Sequence, residues 1–314
     1  MGTAVAKDFI GMRRLTRFSR DANAKLLVYF NNENNFALLN HGRPVPLTVD
    51  THLWAPEACC AHRATPSLSR DGGRIAFVHL KSIHPRQEAI SVLDIAAGRE
   101  KDVFLAAMVW GISWSPEGDR LAVVADKGDG KGHKAYVIDM ASSAPLCSSP
   151  NAVELAGGKY LISDYVPPSW SPDGLKLALE LRRSGPGANN SAAGIIAIWD
   201  LRTQTMHKLA DGVEPSWSPG GDAIAFFDSS RRNCSLIKPD GTERKLLFSA
   251  TKGLLGVGGR APLFFPVAWS PDGRRLVFHE WVQADLIAEV YQLDLAARKT
   301  KHLGRSELQV VNWR

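Results

Sequence analysis

The chain has 314 residues, 45% of them apolar and 22% charged, with a formal net charge of +6. Such a chain can bury a large core, and no apolar run is long enough to cross a bilayer, so membrane insertion is not expected. The basic excess lies in scattered pairs (Arg13-Arg14, Arg182-Arg183, Arg231-Arg232, Arg274-Arg275), not in a stripe interleaved with stacking aromatics, so nucleic acid is not expected as a partner.

In chain order, the first copy of a recurring pattern is faint. "TRFSRDANAKLLVYF" starts at Thr16, with Ser19 as its anchor, and leads into three apolar runs at Lys25 to Phe30, Asn35 to Asn40 and Pro44 to Thr48. The clear copies follow: "PSLSRDGGRIAFVHL" from Pro66, "ISWSPEGDRLAVVAD" from Ile112, "PSWSPDGLKLALEL" from Pro168, "PSWSPGGDAIAFFDS" from Pro215 and "VAWSPDGRRLVFHEW" from Val267. From Ser19 through Ser69, Ser115, Ser171, Ser218 and Ser270 the gaps are 50, 46, 56, 47 and 52 residues. This is a repeat array.

The unit has a physical reading. In Ser171-Pro172-Asp173-Gly174 the proline presets φ, the serine hydroxyl can bond the backbone, and glycine closes a type I turn. Beyond it Leu177 and Leu179 point to one face and Ala178 to the other, the period of two that a strand requires. A third run follows in each unit, such as "AISVLDI" (Ala89 to Ile95) or "IIAIWDL" (Ile195 to Leu201), and a short fourth, such as "HKLA" from His207. Four strands in about 45 to 50 residues make one propeller blade. The last residues, Val310-Val311-Asn312-Trp313, parallel Pro266-Val267-Ala268-Trp269 and are an inner strand without a blade of their own.

The expected architecture is therefore all-β: a six-bladed β-propeller of four-stranded blades, closed by the C-terminal strand joining the N-terminal blade. The whole of 1–314 forms one domain, with blades at 18–50 plus 308–314, 64–105, 109–155, 166–210, 213–249 and 265–304. Ser67, Ser113, Ser169, Ser216, Ala268 and Asn312 are small, as inner strands crowded around an axis demand. The tryptophans after them should wedge between blades, each burial contributing roughly 2 to 3 kcal/mol.

The "WSPDG" turn with its "LAF"-like strand resembles the TolB-type, WD40-like (PD40) propeller repeat along nearly the whole chain, with departures at Ser69-Arg70-Asp71 and Pro219-Gly220-Gly221. The resemblance implies the fold; function has to come from a site. TolB proteins add an N-terminal α/β domain and bind proteins in the periplasm, and too few residues precede the first blade here for such a domain. Prolyl oligopeptidase relatives add an α/β-hydrolase domain, and this sequence has no Gly-x-Ser-x-Gly elbow. Oligogalacturonate lyases of similar build use a histidine-rich metal site.

Since the Ser-Pro-Asp-Gly turns occupy one rim, the longer and more varied loops of the opposite rim are the expected contact surface. Its candidates are His79, His84, His133, Tyr160, Tyr165, Phe265, Glu280 and Trp281. His79, Asp126, Glu180, Asp228, His279 and Glu280 end second strands at similar heights. They read either as a polar ring for a metal or sugar acid or as strand ends meeting water. "DKGDGKG" from Asp126 lacks the alternating acidic oxygens of a calcium loop. Cys59, Cys60, Cys147 and Cys234 have neither disulfide nor metal spacing. No catalytic residue, cofactor or metal is expected.

The expected function is a non-catalytic scaffold for another protein or a peptide, the alternative being a metal-dependent polysaccharide lyase or carbohydrate-binding propeller. The start "MGTAVAKDFIGMRRL" has no signal-peptide pattern, which reads as cytoplasmic, or as periplasmic if the chain is a processed form.

Overall fold

The computed structural model describes residues 25–30, 35–40, 43–45, 66–130, 132–155, 158–163, 166–184, 194–249, 263–282, 287–306 and 308–313. Among them every regular element is a strand. No helix among the described residues is long and apolar enough to cross a membrane. Ser19 and Tyr165 lie outside the described residues, as do Cys59 and Cys60.

The strands fall into six antiparallel sheets. The first joins β1 (Lys25–Phe30), β2 (Asn35–Asn40) and β3 (Arg43–Val45) to the last strand of the chain, β26 (Leu308–Trp313). β26 pairs with β1 in the register Leu26 to Trp313 and Phe30 to Leu308. The second sheet holds β4 (Ser67–Leu68), β5 (Arg74–Ile83), β6 (Arg86–Asp94) and β7 (Arg99–Ala106), and the third β8 (Met108–Trp114), β9 (Arg120–Asp126), β10 (His133–Asp139) and β11 (Ala144–Ser148). The fourth contains β12 (Ala152–Leu155), β13 (Gly158–Ile162), β14 (Ser169–Trp170), β15 (Lys176–Arg183), β16 (Gly194–Asp200) and β17 (Thr205–Asp211). The fifth is β18 (Val213–Trp217) to β21 (Lys245–Ser249) by way of β19 (Ile224–Phe227) and β20 (Asn233–Ile237). The sixth is β22 (Leu263–Trp269), β23 (Arg275–Val282), β24 (Ile287–Asp294) and β25 (Lys299–Ser306).

Six strands in the fourth sheet depart from the expected four. The segment expected to close the third blade instead turns back as the β12–β13 hairpin and pairs with the far end of β15, Ile162 opposite Leu181. Its alternating Val153, Tyr160 and Ile162 give the reason, since all three bury in the cluster that holds Trp170 and Leu181.

The turns explain why the anchor serine recurs. Gly72, Gly118, Gly174, Gly221 and Gly273 donate to the carbonyls of the five anchors at 2.9–3.0 Å with φ of +67° to +77°, a region that penalises any Cβ. Each anchor hydroxyl also accepts the backbone N–H five residues on, at 2.9–3.1 Å, and donates to an aspartate at 2.5–2.7 Å. Where the residue two past the serine is Glu117 or Gly220, the aspartate comes two residues later, as Asp119 and Asp222, and takes the same hydroxyl.

Packing follows the strand period. Leu177 and Leu179 face the third sheet, beside Val124 and Val137, while Ala178 faces the fifth, beside Trp217 and Phe226. Between the fifth and sixth sheets the same alternation sets Phe227 and Cys234 against Trp269 and Phe278. Residues of β26 approach both β22 and β4, the sheets at the two ends of the series.

Candidate functional site

The candidates read from the sequence are dispersed by the fold. His84 is exposed at the tip of the β5–β6 hairpin. His133, half-buried at the start of β10, lies with its Nε2 2.5 Å from the Ile162 carbonyl and its ring edge-on to Trp110. Tyr160 is only 8% exposed and packs with Ile162 and Trp170, so its ring belongs to the core and not to a contact face. Phe265 pairs with His279 across β22 and β23, and Trp281 with Leu263, while Glu280 lies opposite Phe264.

Nor do the strand-end ionisable groups form one ring. Asp126 caps the Gly128 N–H at 2.7 Å, and Asp228 takes the side chains of Ser230 and Asn233 in its own hairpin. His279 is buried, and burial pushes its imidazole down to about 4, so that it is neutral at physiological pH. Glu180 lies between sheets, accepting from the Ser163 hydroxyl at 2.9 Å and from the Glu214 N–H at 3.0 Å. Burial raises its pKa, against the opposing charges of Arg182 and Arg231.

His79 is joined to two acids. Its Nδ1 lies 3.6 Å from Glu100 and its Nε2 3.3 Å from Asp102, the histidine on β5 and both acids on β7. All three groups place a donor atom within 4.8 Å of one another, as a cation site requires. The donor set nevertheless fits a cation poorly, because the Lys81 ammonium already lies 2.7 Å from Asp102. Burial acts against ionisation of Asp102, but hydrogen bonds from Lys81 and Ser91 outweigh it and hold the carboxyl below its usual range.

The larger feature is a cavity of about 360 Å³ formed by the inner strands. At one end its wall is made by the residues that follow the five anchor serines: Arg70, Pro116, Pro172, Pro219 and Pro271. At the middle are Ser67, Ser113, Ser169, Ser216 and Ala268, the small residues expected at the axis, and the four tryptophans of the clear units. At the other end stand Val166, Pro167, Pro215 and Glu214. The cavity reaches the turn rim, whereas the sequence pointed to the opposite one.

The tryptophan faces are not offered to a ligand. Trp114, Trp170, Trp217 and Trp269 are 4–8% exposed, and the Arg74 and Arg120 guanidinium groups cover Trp114 and Trp170. Three of the indoles donate to the preceding inner strand, Trp114 to Ser67, Trp170 to Ser113 and Trp269 to Ser216, at 3.0–3.2 Å. Among the described residues the wall is made of indole edges, proline rings, serines and the Arg70 and Glu214 side chains. Glu214 enters it through a β-bulge between Val213 and Ser216, with φ of +55°. Such a backbone costs on the order of 1–3 kcal/mol and recurs where a side chain is re-aimed for use. Glu214 had a signal in the sequence: the other clear units carry Thr65, Gly111, Pro167 and Pro266 at that position, none of them charged.

No protein-family model matches the sequence, and no curated protein matches it. Solved structures do resemble it in fold. An oligogalacturonate lyase in complex with manganese matches with a TM-score of 0.53 at 16% identity, over 90% of this chain and 73% of that one. TolB from Acinetobacter baumannii matches with a TM-score of 0.57 at 13% identity, over 92% and 66%. The β-propeller domain of the Trilobed protease from Pyrococcus furiosus matches with a TM-score of 0.53 at 13% identity, over 88% and 78%. The chain has the fold of the TolB-like β-propellers.

Proposed function

We propose that the protein is a non-catalytic scaffold, a closed ring of six blades that binds another protein or a peptide at the turn-rim end of its axis. The observation that carries this reading is the axial cavity with its rim of four prolines and Arg70. Proline rings hold a fixed shape, and the anchor hydroxyls and aspartates lock each turn that bears them. A preformed recess of this kind loses little entropy when a segment enters it. Panning a random twelve-residue peptide library on the immobilised whole protein tests it, followed by affinity measurements with Pro172→Lys and Arg70→Glu. Enriched peptides are expected to bind these variants at least tenfold more weakly. The reading fails if no peptide is enriched, or if those enriched do not distinguish the variants from the wild type.

The second reading, a metal-dependent polysaccharide lyase, draws on the cluster of His79, Glu100 and Asp102 and on the manganese-bound lyase of similar fold. It requires saturable manganese binding by the whole protein that is lost in His79→Ala, together with release of unsaturated uronate from oligogalacturonate.

A further inference from the structure

We propose that the turn-rim mouth of the axial cavity receives a single carboxylate on a short apolar body, the form in which a peptide presents its C-terminal residue, with Arg70 as the group that holds it. The inference rests on the binding reading above and names the end of the segment that the recess would take.

Arg70 stands where the other clear units have Pro116, Pro172, Pro219 and Pro271. It is exposed, and its guanidinium makes no hydrogen bond or ion pair among the described residues. Neighbouring guanidinium groups are committed elsewhere. Arg74 donates to the Gly118 carbonyl at 2.9 Å and lies over Trp114, and Arg120 lies over Trp170. Among the described residues that line the cavity the other charged one is Glu214, at the far end, and its carboxylate is paired with Arg231. The mouth thus presents one open cation among proline rings.

This arrangement selects a ligand by charge, by direction and by size. A guanidinium offers parallel N–H donors that match a carboxylate with two bonds at once. The prolines on the other sides of the mouth, all part-exposed or exposed, offer apolar contact of fixed shape and no N–H. Glu214 disfavours a second anion at the far end, so the acid stays beside Arg70 and the apolar part points inward, toward Val166 and Pro167. Asp71, Asp119, Asp173, Asp222 and Asp272 belong to the turns of the same rim, each bonded to its anchor serine, and repel a ligand with several negative charges. One negative charge is the number that fits. A volume of about 360 Å³ is near the lower limit for ligand sites, which suits the last residue of a chain and not a chain running through. Capture of a terminal carboxylate with the last side chain in a recess is an established mode of peptide recognition.

The test follows the indole N–H resonances of the whole, tryptophan-labelled protein, four of whose tryptophans line the cavity, during titration with N-acetylated peptides that differ only at the C-terminus. The peptides end in leucine acid, leucine amide or aspartate acid, and free isocaproate is the fourth probe. The leucine acid is expected to shift the cavity indoles saturably and to bind about tenfold more tightly than its amide, the effect of one bond to a charged group. The aspartate acid, with its second charge, should also bind more weakly than the leucine acid. Arg70→Gln is expected to bring leucine acid and amide to equal affinity. Arg70→Pro, which writes the residue that four other turns already hold, should do the same, so the loss cannot be laid to a failed turn. Isocaproate bound more weakly than the leucine acid assigns the carboxylate to a peptide end. Equal binding of acid and amide by the wild type, a preference that survives in both variants, or no saturable shift with any probe overturns the inference. Peptides that bind at the rim equally with free and blocked C-termini leave the scaffold reading standing without it. Isocaproate binding that depends on Arg70, in a protein that enriches no peptide, keeps the carboxylate site, assigns it to a free acid and sinks the scaffold reading.

Discussion

Trp170 donates its indole N–H to the Ser113 carbonyl in the preceding sheet at 3.1 Å, whereas the equivalent indole of Trp217 finds no partner among the described residues. Two tryptophans at one repeat position thus bury alike but bond differently. Replacing each by phenylalanine removes similar apolar area, and only at Trp170 does it also leave a carbonyl without its donor. Trp170→Phe is therefore expected to cost about 1 kcal/mol more than Trp217→Phe, the net worth of one such bond. Urea unfolding midpoints at equal m-value measure the difference.

This contrast also marks what the sequence could tell. The array, the strand faces of Leu177 and Ala178, the small axial residues and the pairing of the last strand with the first sheet were legible because each depends on local chemistry repeated in register. Pro219-Gly220-Gly221 departs from the turn motif, yet Asp222 restores the same hydrogen bond two residues on, as Asp119 does beyond Glu117. The site was less legible. Loop length favoured the rim of His84 and His133, but convergence in space is set by how inner strands meet, which no single repeat encodes. Glu214 differed visibly from its repeat equivalents; the cavity it lines exists only once five sheets are assembled. The β12–β13 hairpin was not legible, because its pairing with β15 joins residues about 20 apart across a loop and follows no repeated pattern.

At Gly111 two sheets approach closely. A Cβ placed there would lie 2.6 Å from the Pro167 Cα on the next inner strand, a contact with rigid backbone that cannot relax by side-chain rotation. Gly111→Ala is expected to destabilise the fold by about 1–3 kcal/mol, in line with other overpacked cores. Chemical denaturation of the purified variant reads this directly, and an unchanged midpoint would show that the two strands can move apart freely.

His279 gives the protein an acid limit. Its folded value of about 4 lies below the ordinary 6.5 because burial disfavours the charged ring. The unfolded chain therefore binds the proton more readily, and the stability held by the neutral ring is complete above pH 6.5 and is lost as pH falls toward 4. The loss amounts to roughly 3 kcal/mol. His279→Gln should flatten the stability profile across that window, whatever its effect at neutral pH, as thermal unfolding between pH 7 and 4 would record.

Glu180 acts with the opposite sign. Burial raises its folded value above the ordinary carboxylate range in spite of Arg182 and Arg231, so the folded state holds the proton more tightly than the unfolded one. The corresponding stability is complete below the unfolded value, near 4.5, and diminishes as pH rises through the folded one. Comparing wild type with Glu180→Gln at each pH isolates this contribution, because the amide cannot ionise while it keeps the size and most of the hydrogen-bonding capacity of the acid. The wild type should lose stability relative to the variant as pH rises from 4.5. A difference that stays flat with pH would mean that the guanidinium groups fully offset the burial of the carboxylate. The hydrogen bond that Glu180 accepts from the Glu214 backbone N–H would then contribute as an ordinary bond from an amide to a carboxylate.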